Sequence, residues 1–524
     1  MKKIDTKIYA TLAFAPAILF LTSCRSTDTD QTLSGGAAAI VKINLQGTDY
    51  ADSKTVQPLA SATSKTAGLV DGDIQSHSTL LNPSSVIVAQ LIPAGRSGKF
   101  SPKATSGITP VAEVPGNPLT KDTKYRVIAY RSSDGVYQTH QDYTIGQSGQ
   151  PLALLTGTAY NIIAYSYGSG TLPPISTPEQ TNMNTAVLNY DNNNRDFMYQ
   201  NTSFNPTAPN NILNITLRHK STQILTVLAS DEKISSVSNV VITPHFSDGT
   251  IALTSGSISG RTTAASTTVS FAGPFPAVKQ TANPVFVNAD TQGAALGSLS
   301  ADVTIRGVSK TITLPNAFKI TPETNSILNI NLYFCGAFVA PGVWKNFMCH
   351  NLGADTSANP FTPSATIHGA KYQWGAQTDE AGRYVSQADD LANSGSIANW
   401  NTTILPAGTW SETSKTPQDP CPSGYKVPTI AELEGLMLNN TVTRIGSWTD
   451  NFTNYSSGVQ FGNSLFLPAA GRRSSNTGGF FGRGLQANYW GSTERAQITI
   501  RETSYNVYTG QIGYLGFSIR CIKE

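Results

Sequence analysis

Charge is scarce in this chain. Asp, Glu, Lys and Arg make up only 13% of its 524 residues, and the formal net charge is +3. A nucleic-acid groove or a polybasic membrane contact needs a concentrated basic excess, so neither partner is expected. Histidine is sparse too: His77, His140, His219, His245, His350 and His368 are scattered, with no HxxxH spacing and no neighbouring cysteine pair at zinc-ligand spacing. No metal and no cofactor is expected. No P-loop, GxGxxG or GxSxG follows a plausible strand. Acidic pairs such as Asp389–Asp390 occur, but sequence cannot place two carboxylates across a sugar, and this pair reads as a solvated loop. An enzyme is therefore not expected. Cysteine is nearly missing from the first 334 residues, where Cys24 stands alone, and no tryptophan precedes Trp344. Long amphipathic helical patterns are scarce, which argues against a bundle.

The single long apolar run lies at the N-terminus. Lys2, Lys3 and Lys7 precede Ala10–Leu21, a stretch shorter than the ~20 residues that span a bilayer but suited to a signal peptide. It ends Leu21-Thr22-Ser23-Cys24, which resembles a bacterial lipobox. That resemblance implies lipidation of Cys24, a leader over residues 1–23, and attachment to the outer membrane through a lipid. An ordinary signal peptide with a chance cysteine is the alternative. Ser26–Asp30 is similar to the acidic surface-export tethers of Bacteroidota lipoproteins.

What is plentiful is Ser, Thr, Asn and Gly between short apolar runs, a balance that favours sandwiches of strands. Ala37–Leu45 alternates, with Ala39, Val41, Ile43 and Leu45 on one face. A long polar segment, Gln46–Ser85, delays the next strand, Val86–Ile92. Further strands are expected at Lys124–Tyr130, Tyr160–Tyr167, Leu213–Arg218, Ile224–Leu228, Val240–Thr243, Val303–Arg306 and Leu328–Phe334. All six tryptophans and four of the five cysteines lie at or beyond Cys335, which marks a domain boundary there. The division expected is a β domain over 24–206, a second over 207–335, and a C-terminal domain over 336–524.

The last hundred residues carry CPSGYKVPTIAELEGLM, LFLPAAGRR, GGFFGRG, NYWGST and GYLGFSIRCIKE in that order. Pro428-Thr429 begins a helix whose first turns hold Glu432 and Glu434, where acidic groups suit the helix dipole. These motifs resemble the FISUMP module, whose fold is similar to C-type lectins and to the formylglycine-generating sulfatase family. The resemblance implies an α+β, lectin-like domain. Cys335, Cys349, Cys421 and Cys521 form an even set in an exported region and allow three pairings, or stay as buried thiols. The resemblance favours Cys421–Cys521 as a clamp, with Cys335–Cys349 as a local staple. Cysteines at the domain's edges look structural, unlike the redox-active pair of the formylglycine generators. Phe480 and Phe481, at a Gly-rich turn flanked by Arg472, Arg473 and Arg483, are the ligand-binding candidates, suited to anionic groups. Trp374, Trp400, Trp410, Trp448 and Trp490 are further aromatic candidates that mostly read as core. Residues 417–420 and 489–491 do not match the motifs of calcium-dependent lectins.

Upstream, YRVIAY, PLALLTGTAYNIIAYSYGS and ITLRHKSTQILTVL are similar to the fimbrillin-like family of Bacteroidota, relatives of the FimA and Mfa pilins. That resemblance implies a mainly β chain with two tandem transthyretin-like β-sandwich domains ahead of the C-type-lectin-like α+β domain. It also implies that a protease removes the first strand, here Ala37–Leu45, and that a strand from another fimbrillin subunit fills the groove. The family's cut follows an arginine, yet none occurs between Arg25 and Arg96. Lys54, Lys65 and Arg96 are the processing candidates, and retention of the strand is the alternative. The terminal strand Phe517–Ile522 belongs to the lectin-like module and is not free to enter a neighbour. The expected role is thus a tip fimbrillin at the cell surface, displaying an adhesin-like domain to a host or bacterial glycan or protein. The alternative is a pilus anchor or a stand-alone outer-membrane lipoprotein.

Overall fold

The computed structural model describes residues 37–51, 74–94 and 117–524. The leader, Cys24, Lys54, Lys65 and Arg96 lie outside the described residues. The chain is mainly β.

The first sheet has seven strands, in the order Tyr137–Thr144, Lys124–Arg131, Tyr160–Ser166, Met198–Phe204, Asn210–His219, β1 (Ala38–Asp49), Leu152–Leu155. The run YRVIAY has no polar face because both its faces are covered. Val127 and Ala129 enter one core with Val41, Leu154 and Ile215, whereas Ile128 and Tyr130 enter another with Ile163 and Tyr165. The second of these cores is closed by a small sheet of Val187–Asn189, Thr250–Ala252 and Ile258–Ser259, which supplies Leu188, Ile251 and Ile258.

The second sheet follows the path Val308–Phe318, Gly297–Ile305, Thr222–Phe246, Asn325–Phe334, β3 (Ser85–Pro93), β2 (Gln75–Asn82), with three short strands also pairing Thr222–Phe246. The strands expected at Ile224–Leu228 and Val240–Thr243 are two parts of that one long strand. Sheet membership departs from the expected division at 206/207. Asn210–His219 belongs to the first sheet, and the β2–β3 hairpin, from the N-terminal side of the division, belongs to the second. The reason lies in β3, which is apolar on both faces. Ile87, Ala89 and Leu91 enter the core of the second sheet, while Val86 and Val88 pack on Cys335 and Cys349. The polar segment Gln46–Ser85 also holds more structure than expected, since β1 runs on to Asp49 and β2 is a polar edge strand.

Beyond Cys335 the sheets are small and two helices appear, α1 (Gln387–Ala392) and α2 (Ile430–Asn439). Thr429 caps α2: its Oγ1 accepts from the Glu432 amide at 3.1 Å, and the Glu432 carboxylate accepts from the Thr429 amide at 2.8 Å. Gly435 is required because a Cβ there would lie 1.9 Å from the Val339 carbonyl oxygen. Disulfides join Cys335 to Cys349 and Cys421 to Cys521. The chain around Cys335 and Cys349 packs on the β2–β3 turn: the Cys335 amide donates to the Ser84 carbonyl and the Cys349 amide to the Pro83 carbonyl, both at 2.8 Å. Tyr425 Oη and Ser84 Oγ are 2.9 Å apart.

The Cys421–Cys521 bridge closes a loop with a sequence separation of 100. Replacing both cysteines by serine is expected to destabilise the C-terminal domain by about 2–5 kcal/mol. Denaturant unfolding followed by tryptophan fluorescence checks this, because every tryptophan lies beyond Cys335.

Candidate functional site

β1 is an internal strand of its sheet. It pairs parallel with Asn210–His219, from Ile40–Asn210 to Asp49–Arg218, and antiparallel with Leu152–Leu155, from Ala38–Leu155 to Val41–Leu152. Ala39 and Val41 are buried, and Ile43 and Leu45 half-buried, against a core that includes Leu152, Leu213 and Ile215. At its far end Asp49 accepts two hydrogen bonds from Arg218, at 2.8 and 3.1 Å. Tyr50 stacks on His219 with ring centroids 4.1 Å apart. β1 and β2 belong to different sheets. Withdrawal of β1 would leave unpaired backbone groups on both neighbours and an apolar slot between them, a template for an incoming strand.

The terminal segment is the opposite case. Instead of one continuous strand it makes bridges at Tyr372–Phe517, Arg473–Gly516, Tyr489–Ser518 and Phe347–Ile522, and Ile522–Lys523 pairs with Tyr425–Lys426. Phe517, Ile519, Cys521 and Ile522 are fully buried. Arg520 is buried as well, and donates to Asn351 Oδ1 at 2.8 and 3.0 Å and to the Cys349 carbonyl at 2.9 Å. Burial pushes its guanidinium down to about 10. Each large apolar side chain withdrawn from such a site costs roughly 1.5–3 kcal/mol.

The five ligand-binding candidates separate into two groups. Arg473 and Arg483, expected at an accessible turn, are instead fully buried around Asp390. Arg473 Nε donates to Asp390 Oδ1 at 2.7 Å and Arg483 Nη2 to Oδ2 at 2.8 Å, while Lys371 Nζ lies 3.4 Å from Oδ2. Phe480 packs against both guanidinium groups, at 5.1 and 4.2 Å. Arg472, half-buried, and Phe481, exposed, stack on each other at 5.2 Å. Asp390 also corrects the expectation of a solvated Asp389–Asp390 loop. Asp389 lies in the first turn of α1, capped by Ser386, and Asp390 faces inward. The Ser386-x-x-Asp389 spacing was the available signal for that helix. Trp374, Trp410, Trp448 and Trp490 are buried, as core residues.

Burial raises the Asp390 carboxyl, but Lys371, Arg473 and Arg483 together hold it below the usual carboxylate range. Burial pushes the Lys371 ammonium down to about 8, with Asp390 opposing and the two arginines assisting. His368, fully buried nearby, is held well below its ordinary value by burial and by the Lys371 and Arg483 charges, so it is neutral. Among the described residues no three His, Cys, Asp or Glu side chains gather to hold a metal ion.

No family model and no curated protein matches the chain. Solved structures it is similar to include a candidate cell-adhesion protein of Bacteroides fragilis, at 13% identity and a TM-score of 0.30, covering 47% of this chain and 92% of that one. The fimbrial anchor protein Mfa2 of Porphyromonas gingivalis is matched at 10% identity and a TM-score of 0.26, over 38% of this chain and 76% of that one. A fimbrial assembly protein of Parabacteroides distasonis is matched at 10% identity and a TM-score of 0.27, over 40% and 88%. Likenesses at these TM-scores carry no argument about the role of this chain.

Asp390→Asn leaves the clustered cations without their counter-charge and is expected to cost about 3–5 kcal/mol, whereas Lys371→Met is expected to be far milder. Denaturant midpoints of the two variants check the order. Lys371 also sets a pH dependence. Between about 8 and its ordinary value near 10.5, the unfolded chain holds a proton that the folded chain has released, so stability rises with pH across that window. Wild-type protein is expected to gain stability between about pH 7.5 and about pH 9.5, and Lys371→Met to lose that gain.

Proposed function

We propose that this chain is a fimbrial subunit of the tip type, built from two transthyretin-like β-sandwiches and a displayed lectin-like domain. It accepts a strand from another subunit in the place of β1 and donates none. The observation that carries this reading is the terminal segment, which is stapled by Cys421–Cys521 and buried at Phe517, Ile519 and Ile522. A segment that completes its own domain's core is not available to a neighbour. The position of β1 between two paired strands supports the acceptor half. On this reading Cys24 carries the lipid during export, and a cut at Lys54 or Lys65 frees β1, whereas a cut at Arg96 would leave β1 joined to the β2–β3 hairpin.

The alternative, an anchor or stand-alone outer-membrane lipoprotein, is favoured by the ties at the end of β1, the Asp49–Arg218 ion pair and the Tyr50–His219 stack. Gold labelling of purified fimbriae with an antibody to the C-terminal domain decides between them. Label confined to filament ends is expected. Label along the shafts would sink the tip reading, and label on cells lacking any filament contact, with β1 intact by mass spectrometry, would favour the anchor or lipoprotein.

A further inference from the structure

The five-stranded sheet of the C-terminal domain runs Phe480–Arg483, Ala470–Arg473, Ala487–Trp490, Gln497–Ile500, Tyr505–Tyr508. One of its faces gathers donors left without acceptors. Arg472 is half-buried and makes no ion pair among the described residues, and its Nε has no hydrogen-bond partner. Arg501 lies near enough that its charge, after burial, lowers the Arg472 guanidinium. Among the described residues its one side-chain acceptor is Gln486 Oε1, at 3.4 Å. Gln486 directly precedes the strand that carries Asn488, and they are 2% and 1% exposed. The Nε2 of Gln486 and the Nδ2 of Asn488 are both without partners. Phe481 and Tyr508, 46% and 37% exposed, flank this face.

Two neighbouring like charges, neither paired with a carboxylate among the described residues, suit an oxyanion. Exposed aromatic rings at the edges suit the apolar face of a pyranose. We propose that Arg472 and Arg501, the latter held by Gln486, bind the carboxylate or sulfate of an acidic sugar, with Phe481 against its ring. Its use in adhesion rests on the reading of this domain as the displayed one, but the binding itself does not.

Calorimetry on the full chain, with sialyllactose, lactose 3′-sulfate, lactose and a tetraglutamate peptide, tests the inference. An acidic sugar is expected to bind about tenfold or more tightly than lactose, less so at high salt, and Arg472→Gln to lose about tenfold with an unchanged melting temperature. Should Arg472→Gln fold poorly, Phe481→Ala, at an exposed site, is expected to weaken the same binding. Equal binding of acidic and neutral sugars, no binding of any sugar, equal binding of the peptide, or undiminished binding by the variants overturns the proposal. Gold label at filament ends with no acidic-sugar binding overturns this inference alone, and sugar binding with label along the shafts overturns the tip reading alone.

Discussion

The segment from Gly516 to Ile522 is bonded to four separate parts of its own domain, through Arg473, Tyr372, Tyr489 and Phe347. It is therefore an internal element that happens to lie at the chain's end. Strand exchange between subunits is driven by ladder hydrogen bonds and apolar burial. Here the same two gains are already realised at home, and the Cys421–Cys521 bond makes them covalently persistent. Whatever a neighbour offered would have to exceed that sum to draw this segment out of its place.

The β2–β3 hairpin joins the two halves of that picture. One side of β3 completes the second sheet, and the other receives Cys335 and Cys349. The C-terminal domain is thus seated directly on the sheet that follows β1 in sequence, while β1 itself sits in the first sheet. Loss of β1 would open the first sheet without touching the seat of the C-terminal domain.

Charge is rare in the chain, and the C-terminal domain uses it in two different ways. Around Asp390 the cations are enclosed, and their worth depends on mutual neutralisation in a dry interior, where removing one partner costs more than the pair contributes. Around Arg472 the cations are half-buried and, among the described residues, have no paired carboxylate. Arg472 and Arg473, neighbours in a single GRR run, thereby fall into opposite environments. They do so because successive side chains of a strand point to opposite faces of its sheet.

Local pattern was enough to identify several elements. The alternation of Ala39, Val41 and Ile43 marked β1, and Pro428-Thr429 followed by Glu432 and Glu434 marked α2, because each is a near-neighbour effect recorded in the order of residues. Pairing between distant segments was not legible in this way. Nothing local in Ser85–Pro93 says which sheet will cover its two apolar faces, and nothing in Asp389–Asp390 says that one carboxylate will meet arginines 83 and 93 residues later. Those outcomes depend on which surfaces the folded chain brings together, and only the tertiary structure decides them.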